Sequence, residues 1–349
     1  MCNIAGYLGP KNAAPILLEM LRRQAPYDGD MSTGVATIHE GKLYYRKIVG
    51  DVDTLIRETD VLDLPGTVGI AHTRPSGKKD EPAAHPFLNM EETMAVVTNG
   101  TTPRTQYCHL WDEAVDLLQK EGYTFRCESK KPSEKSPRLS SNGHNVSPAE
   151  ARVLLIDLYL KKGKSVTEAM ALACSHMVSD NVTVMINESI PDRIHVCRTT
   201  RPMTLVQHGD ETYLATTRFG LPEELREDAV DLPLHHPCVI TRDGYTVSQD
   251  KMQVEKVSEM TPYTYYEGYR RMEALLKSER APLYFDELEF AVRDDMRDLW
   301  EGDHTYLQHA RLVYDLLYQF DREGRLKREM RIQETKNGPR HRYYMWLED

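Results

Sequence analysis

No apolar run in the 349 residues approaches the roughly 20 needed to span a bilayer. The N-terminus also lacks a basic stretch leading into an apolar segment, so neither a membrane span nor a secretory leader is expected. The six cysteines, Cys2, Cys108, Cys127, Cys174, Cys197 and Cys238, include no C-x-x-C pair. That spacing suggests no zinc site and no disulfide framework, and it fits a reducing cytoplasm. A formal net charge of -10 removes any general attraction to nucleic acid or anionic membrane. Residues 255 to 349 contain no glycine-rich loop of the kind that cradles phosphate.

What remains is ordinary globular material, 40% hydrophobic and 28% charged, long enough for one large domain and a smaller one. After the apolar CNIAGYLG, the segment AAPILLEMLRRQ places Ile16, Leu17, Met20 and Leu21 at helical spacing. TGVATIHEGKLYYRKI reads as two strands around a turn, and TVGIAHT and TMAVVTNG as further strands. Helices follow in WDEAVDLLQKEG, SPAEARVLLIDLYLKKG and SVTEAMALACSHMV. The last two open with S-x-x-E capping boxes, Ser147 with Glu150 and Ser165 with Glu168. Strands then return in NVTVMIN, RIHVCRT, MTLVQH, TYLAT and the hairpin CVITRDGYTVS. Residues 128 to 146, rich in Lys, Ser and Pro, read as a mobile inserted loop.

The chemistry concentrates near the start. Cys2 follows the initiator methionine, so loss of Met1 would put a thiol and a free α-amine on one residue. Such an amine titrates near 8, close enough to neutrality to take the thiol proton and return it to a leaving amine. The plain alternative is a small buried cysteine. A strand ends in Asn99-Gly100, where a side-chain amide and a backbone N–H can meet a developing oxyanion. Another ends in His72, Thr73 and Arg74, and an arginine there can grip a carboxylate through two parallel hydrogen bonds.

CNIAGYLG and AVVTNG resemble the C-G-I-x-G and A-V-V-H-N-G stretches of class II glutamine amidotransferases, above all the glutaminase domain of glucosamine-6-phosphate synthase. The likeness continues through LLEMLRRQ, GIAHTR, AAHPF, GYTF, the two capped helices, NVTVMIN and TYLAT, over about residues 2 to 250. It implies an α+β fold, the four-layer αββα sandwich of N-terminal-nucleophile (Ntn) hydrolases. It implies Cys2 as nucleophile, its amine as base, Asn99 and Gly100 as oxyanion hole, and Arg74 as ligand of the glutamine α-carboxylate. No metal or other cofactor is implied, because the chain itself supplies these groups.

Four places depart from the family pattern. Asn3 stands where the family has glycine, and Asp28 where R-G-x-D-x-x-G carries arginine. Pro148 occupies the position of the aspartate that binds the substrate ammonium, and PSGKKDEP replaces W-A-T-H-G, although His85-Pro86 is kept. The expected substrate-binding set is Arg74, His72, Thr73 and His85, with Asp28 or Asp30 as a compensating carboxylate.

From about residue 255 the character changes to three helical segments, TPYTYYEGYRRMEALLKSE, FDELEFAVRDDMRDLW and TYLQHARLVYDLLYQFDREG. They precede a hairpin, RLKREMRIQE and HRYYMWL, giving the outline of a small winged-helix-like domain at 255 to 349. Residues 322 to 342 carry a local charge of +5, which attracts phosphate, whereas 286 to 303 carry -6, which repels DNA. The alternative is that the basic ribbon pairs with the acidic helix or with another subunit. Tyr263, Tyr265, Tyr266 and Tyr269 open an amphipathic helix and read as packing residues.

Three functions stay open: glutamine hydrolysis feeding a separate ammonia-acceptor enzyme, hydrolysis of another amide or γ-glutamyl compound, and a non-catalytic sensor whose winged helix contacts DNA or protein. Each is compatible with a homo-oligomer.

Overall fold

The computed structural model describes all residues except 76–80, 101–107, 130–142, 255–258, 278–281, 302–307, 336–337 and 349. Two antiparallel sheets lie at its centre. One runs Val230–Asp231, Thr204–His208, Glu211–Ala215, Asn3–Leu8, Val68–Arg74, Ser32–His39, Lys42–Ile48. The other runs Gly244–Val247, Cys238–Thr241, Ile194–Arg198, Val182–Asn187, Met94–Asn99, Phe87–Leu88.

Period-two alternation sorts each strand's side chains between two cores. In Asn3–Leu8, Ile4 and Leu8 join Ile70, Val97 and Val184 between the sheets. Ala5 and Tyr7 point the other way, onto Leu17, Leu18 and Leu21 of the helix Ala13–Gln24. In Met94–Asn99, Ala95 and Val97 face the first sheet, while Met94 and Val96 pack with Leu154, Leu155 and Met170 from the helices Pro148–Lys161 and Val166–His176. The layers thus run helix, sheet, sheet, helix.

The predicted capping boxes form only in part. Ser165 accepts from Glu168 N at 3.2 Å, but Ser147 makes no side-chain cap. Its partner Glu150 accepts instead from the backbone N–H groups of Arg126 and Cys127 at 2.7 and 2.8 Å. The Cys127 donor is buried and must be satisfied, so a distant strand end outcompetes the local cap. Of the loop predicted at 128 to 146, the described ends pair as short strands, Glu128–Ser129 with Asn145–Val146; its middle lies outside the described residues.

After the sandwich come the helices Pro262–Leu276, Phe285–Asp295, Arg297–Glu301 and His309–Arg322, then the ribbon Leu326–Thr335 with Gly338–Leu347. The second predicted helix is two helices, broken at Met296, a buried residue with non-helical φ and ψ. Phe285, Leu288, Val292, Leu312, Leu316, Phe320 and Met345 form a core that also takes in Tyr27 and Phe219 of the sandwich. Tyr27 and Phe219 stack at 4.7 Å, and Tyr343 N donates to Pro26 O at 2.8 Å. Of the four tyrosines, Tyr265 and Tyr269 bond Asp315 and Glu323, whereas Tyr263 and Tyr266 are exposed.

The basic ribbon docks on the sandwich rather than on the acidic helix. Arg328 donates to Tyr27 Oη at 2.7 Å, and Arg340 to Gly29 O at 3.3 Å. Arg342, 2% exposed, reaches Ala25 O, Gly29 O, Asp28 and Asp30. Every described Lys or Arg from 322 to 342 has a carboxylate, hydroxyl or carbonyl partner. No described helix is long and apolar enough to cross a membrane.

Candidate active site

The alternation that builds the inter-sheet core also aims the site. Cys2 continues the parity of Ile4, Asn99 that of Ala95 and Val97, and Arg74 that of Val68 and Ile70, so all three belong to inner faces at one end of the sandwich. There Asn99 clamps Cys2 across the gap between the sheets. Cys2 N donates to Asn99 Oδ1 at 3.3 Å, and Asn99 Nδ2 donates to Cys2 O at 2.7 Å. An amide carries two N–H donors, so one remains for a reacting oxygen.

Gly100 follows with φ of +88°, and a Cβ there would fall 1.5 Å from Asp180 O. Its carbonyl accepts from Asn181 Nδ2 at 3.1 Å. The turn that would present the oxyanion donors is therefore wedged against residues 180 and 181, and only glycine fits.

His72, Thr73 and His85 are all buried, the two histidines beneath this mouth. His72 Nε2 meets Thr98 O at 3.1 Å, His85 Nδ1 accepts from Thr98 N at 3.4 Å, and the two rings stack at 3.9 Å. Burial, with Arg74 nearby, holds His72 down at about 3. Burial, His72 and Arg74 likewise keep His85 well below its usual range. Both are neutral props under the Asn99 strand. Thr73 faces the other side of its sheet, where its hydroxyl accepts from Asp30 N at 3.0 Å.

Asp28 lies at the mouth itself. It is buried, and its carboxylate pairs with the α-ammonium of Met1 and with Arg342 at 3.4 Å. Asn3 donates to Asp28 O, so the side chain added in place of glycine ties the 27–30 turn to the first strand. The charge inverted at Asp28 is met by an arginine more than 300 residues away along the chain.

No protein-family model matches the chain. Over 249 residues it is 28% identical to the glutamine–fructose-6-phosphate aminotransferase (isomerizing) of Pyrococcus horikoshii, covering 71% of this chain and 37% of that protein. Over 207 residues it is 31% identical to the enzyme of the same name from Thermosynechococcus vestitus, covering 59% and 30%. The chain carries a class II glutamine amidotransferase domain. It spans well under half the length of these relatives. In fold it is similar to the glutamine phosphoribosylpyrophosphate amidotransferase of B. subtilis complexed with ADP and GMP, at TM-score 0.57 and 15% identity over 80% of this chain and 60% of that one. The structure of the allosteric regulatory enzyme of purine biosynthesis matches at TM-score 0.58 and 14% identity, over 80% of this chain and 59% of that one.

Around the candidate site the structure adds residues that motif reading missed. Arg201 pairs with Asp180 at 2.5 Å and with Glu289 at 3.4 Å, and His309 Nε2 lies 3.0 Å from Glu289. Burial raises Glu289, but the His309 hydrogen bond and the charge of Arg201 outweigh it and bring it to about 2. Only the acidity of the 286–303 stretch was visible as a signal, and it pointed to the basic ribbon or another subunit, not to Arg201 and His309.

The Cys2 thiol is pushed up by burial, against the opposing charges of the N-terminal amine, Arg74 and Arg201. Arg201→Gln removes one of those cations and keeps the Asp180 charge that raises the thiol, so the thiol should titrate higher still. Because the thiolate is the reactive form, the pH profile for alkylation of Cys2 by iodoacetamide should move to higher pH. An unmoved profile would show that the Arg201 charge does not reach the sulfur.

Proposed function

We propose that this chain hydrolyses the side-chain amide of glutamine, with Cys2 as an N-terminal nucleophile once Met1 is removed. The observation that carries the reading is the reciprocal pair of hydrogen bonds between Cys2 and Asn99, beside a turn that admits only glycine. In this reading the freed α-amine, already facing Asn99 Oδ1, takes the thiol proton. The sulfur attacks the amide carbon, and the carbonyl oxygen gains negative charge opposite Asn99 Nδ2 and Gly100 N. The amine returns its proton to the departing nitrogen, ammonia leaves, and a glutamyl-thioester remains. Water then adds to the thioester, releasing glutamate and restoring the thiol. Arg74, on the same inner face, takes the substrate α-carboxylate. Delivery of ammonia would require an acceptor enzyme, since these residues provide only the glutamine half of a transfer.

Glutamate release from L-glutamine, with mass spectrometry of the N-terminus, tests this. Wild-type protein should turn over and Cys2→Ala should not, the loss exceeding about a thousandfold, as expected when a nucleophile is removed. Turnover surviving in Cys2→Ala would sink the mechanism.

A second substrate class, another amide or a γ-glutamyl compound, is favoured by one feature: Pro148 replaces the family's ammonium-binding aspartate at the start of its helix. For the C-terminal helices and ribbon we propose a role as a wall of the site. The ribbon's described basic residues are already committed to partners within the chain, which speaks against a DNA-contacting sensor.

A further inference from the structure

Beside the Cys2 mouth is a cavity of about 790 Å³, lined by Asp28 and Arg201 from the sandwich and by Asp286, Glu289 and Arg342 from the C-terminal elements. Most of its charges are committed to one another. Arg201 holds Asp180 and Glu289, and Glu289 also holds His309.

Asp28 is the exception, because its two oxygens have different duties. Oδ1 accepts from Gly29 N at 3.0 Å and faces Arg342 Nη2 at 3.4 Å. Oδ2 is buried, and among the described residues no side chain or backbone N–H bonds to it. What sits on it is the α-ammonium of Met1, which also lies 3.7 Å from Asp286 Oδ1. A buried carboxylate oxygen with no other partner is costly unless a cation meets it. An ammonium is therefore the group this corner is built to hold, and in this structure it holds one.

Position along the chain supplies the link to catalysis. The ammonium belongs to the residue adjoining Cys2, and about as many covalent bonds separate it from Cys2 Sγ as separate sulfur from the α-nitrogen in a glutamyl-thioester. When Met1 leaves, the seat empties one residue from Cys2, within the covalent reach of the α-amine of an amino acid attacked by Cys2.

We infer that Asp28 and Asp286 together form the receptor for the substrate α-ammonium. The helix Phe285–Asp295 thereby contributes a specificity residue to the hydrolase site, in place of the partner lost at Pro148. This rests on the amide-hydrolase reading above and deepens it, by requiring an α-amino acid end on the substrate.

Calorimetry on the Cys2→Ala protein, with loss of Met1 verified by mass, avoids turnover and compares L-glutamine with glutaramate, the same molecule without its α-amine. L-Glutamine should bind at least about tenfold more tightly. Asp28→Asn should weaken it by about tenfold or more, as loss of a desolvated charge partner does. Asp286→Asn, at a side chain 37% exposed and so outside the packed core, should weaken it about two- to fivefold. Glutaramate binding should not respond to Asp286→Asn.

Equal affinity for the two compounds overturns the receptor, as does an Asp286→Asn variant that binds L-glutamine unchanged or loses both compounds alike. If glutamine does not bind but a γ-glutamyl amino compound binds in preference to its deaminated form, the receptor stands and the glutaminase reading falls. If nothing binds in an amine-dependent way, the receptor falls.

Discussion

Gly100→Ala should unfold the turn proposed to face the oxyanion and abolish most activity. With φ at +88°, an L-residue costs about 1–2 kcal/mol in backbone strain alone. The added Cβ would also sit 1.5 Å from Asp180 O, so the 99–100 turn or the 179–181 segment must move, at about 1–3 kcal/mol more. Movement of either parts Asn181 Nδ2 from the carbonyls of Asn99 and Gly100, now at 3.4 and 3.1 Å. Because an oxyanion donor is worth about a hundred- to a thousandfold in rate, the glutamine turnover proposed for this site should fall by at least that factor. Chemical denaturation should show the lost stability separately. Full activity in Gly100→Ala would mean that this turn does not face the reacting carbonyl.

Arg342→Leu is the second large effect, and it probes how the two parts of the chain are held together. The guanidinium is 2% exposed and spends its donors on Ala25 O, Gly29 O, Asp28 and Asp30. Removing it leaves two buried or nearly buried carboxylates short of a counter-charge, a loss of about 3–5 kcal/mol. Asp30 sharpens the pH dependence. Burial raises its pKa, against the lowering effect of Arg342, and the balance stands at about 6.

A carboxyl raised in the folded state makes a contribution that is fully present below its unfolded value and lost as pH rises through the folded one. Without Arg342 the Asp30 pKa should rise further, so the stability deficit of Arg342→Leu should be smaller near pH 4 than at pH 7. Urea midpoints at the two pH values measure this. A deficit that does not change with pH would assign the loss to packing alone.

How much of this was legible beforehand follows from the range of each interaction. Cys2, Asn99, Gly100 and Arg74 could be picked out because each stands at the end of a strand whose apolar alternation is written locally. That alternation also decides which face the residue shares with its core. The two sheets and their covering helices were readable for the same reason, as was the ribbon at the C-terminus.

The neighbouring charges were not readable. The parity that puts His72 on the inner face cannot say that it will be capped by Thr98 and His85 and kept neutral under the site. The S-x-x-E at Ser147 promised a cap, but Glu150 was drawn to two backbone donors on another segment. Asp28 looked like an isolated charge inversion until Arg342 was seen against it.

The sequence by itself determined the sandwich, the place of Cys2 at the head of its first strand and the turn at Asn99-Gly100, because strand periodicity and backbone conformation are short-range properties. Only the tertiary structure decided what surrounds them: Asp180 and Arg201 behind the turn, Asp286 and Glu289 across the mouth, and Arg342 beneath Asp28. Buried charges take whichever partner the fold brings within a few ångströms, and separation along the chain carries no record of that choice.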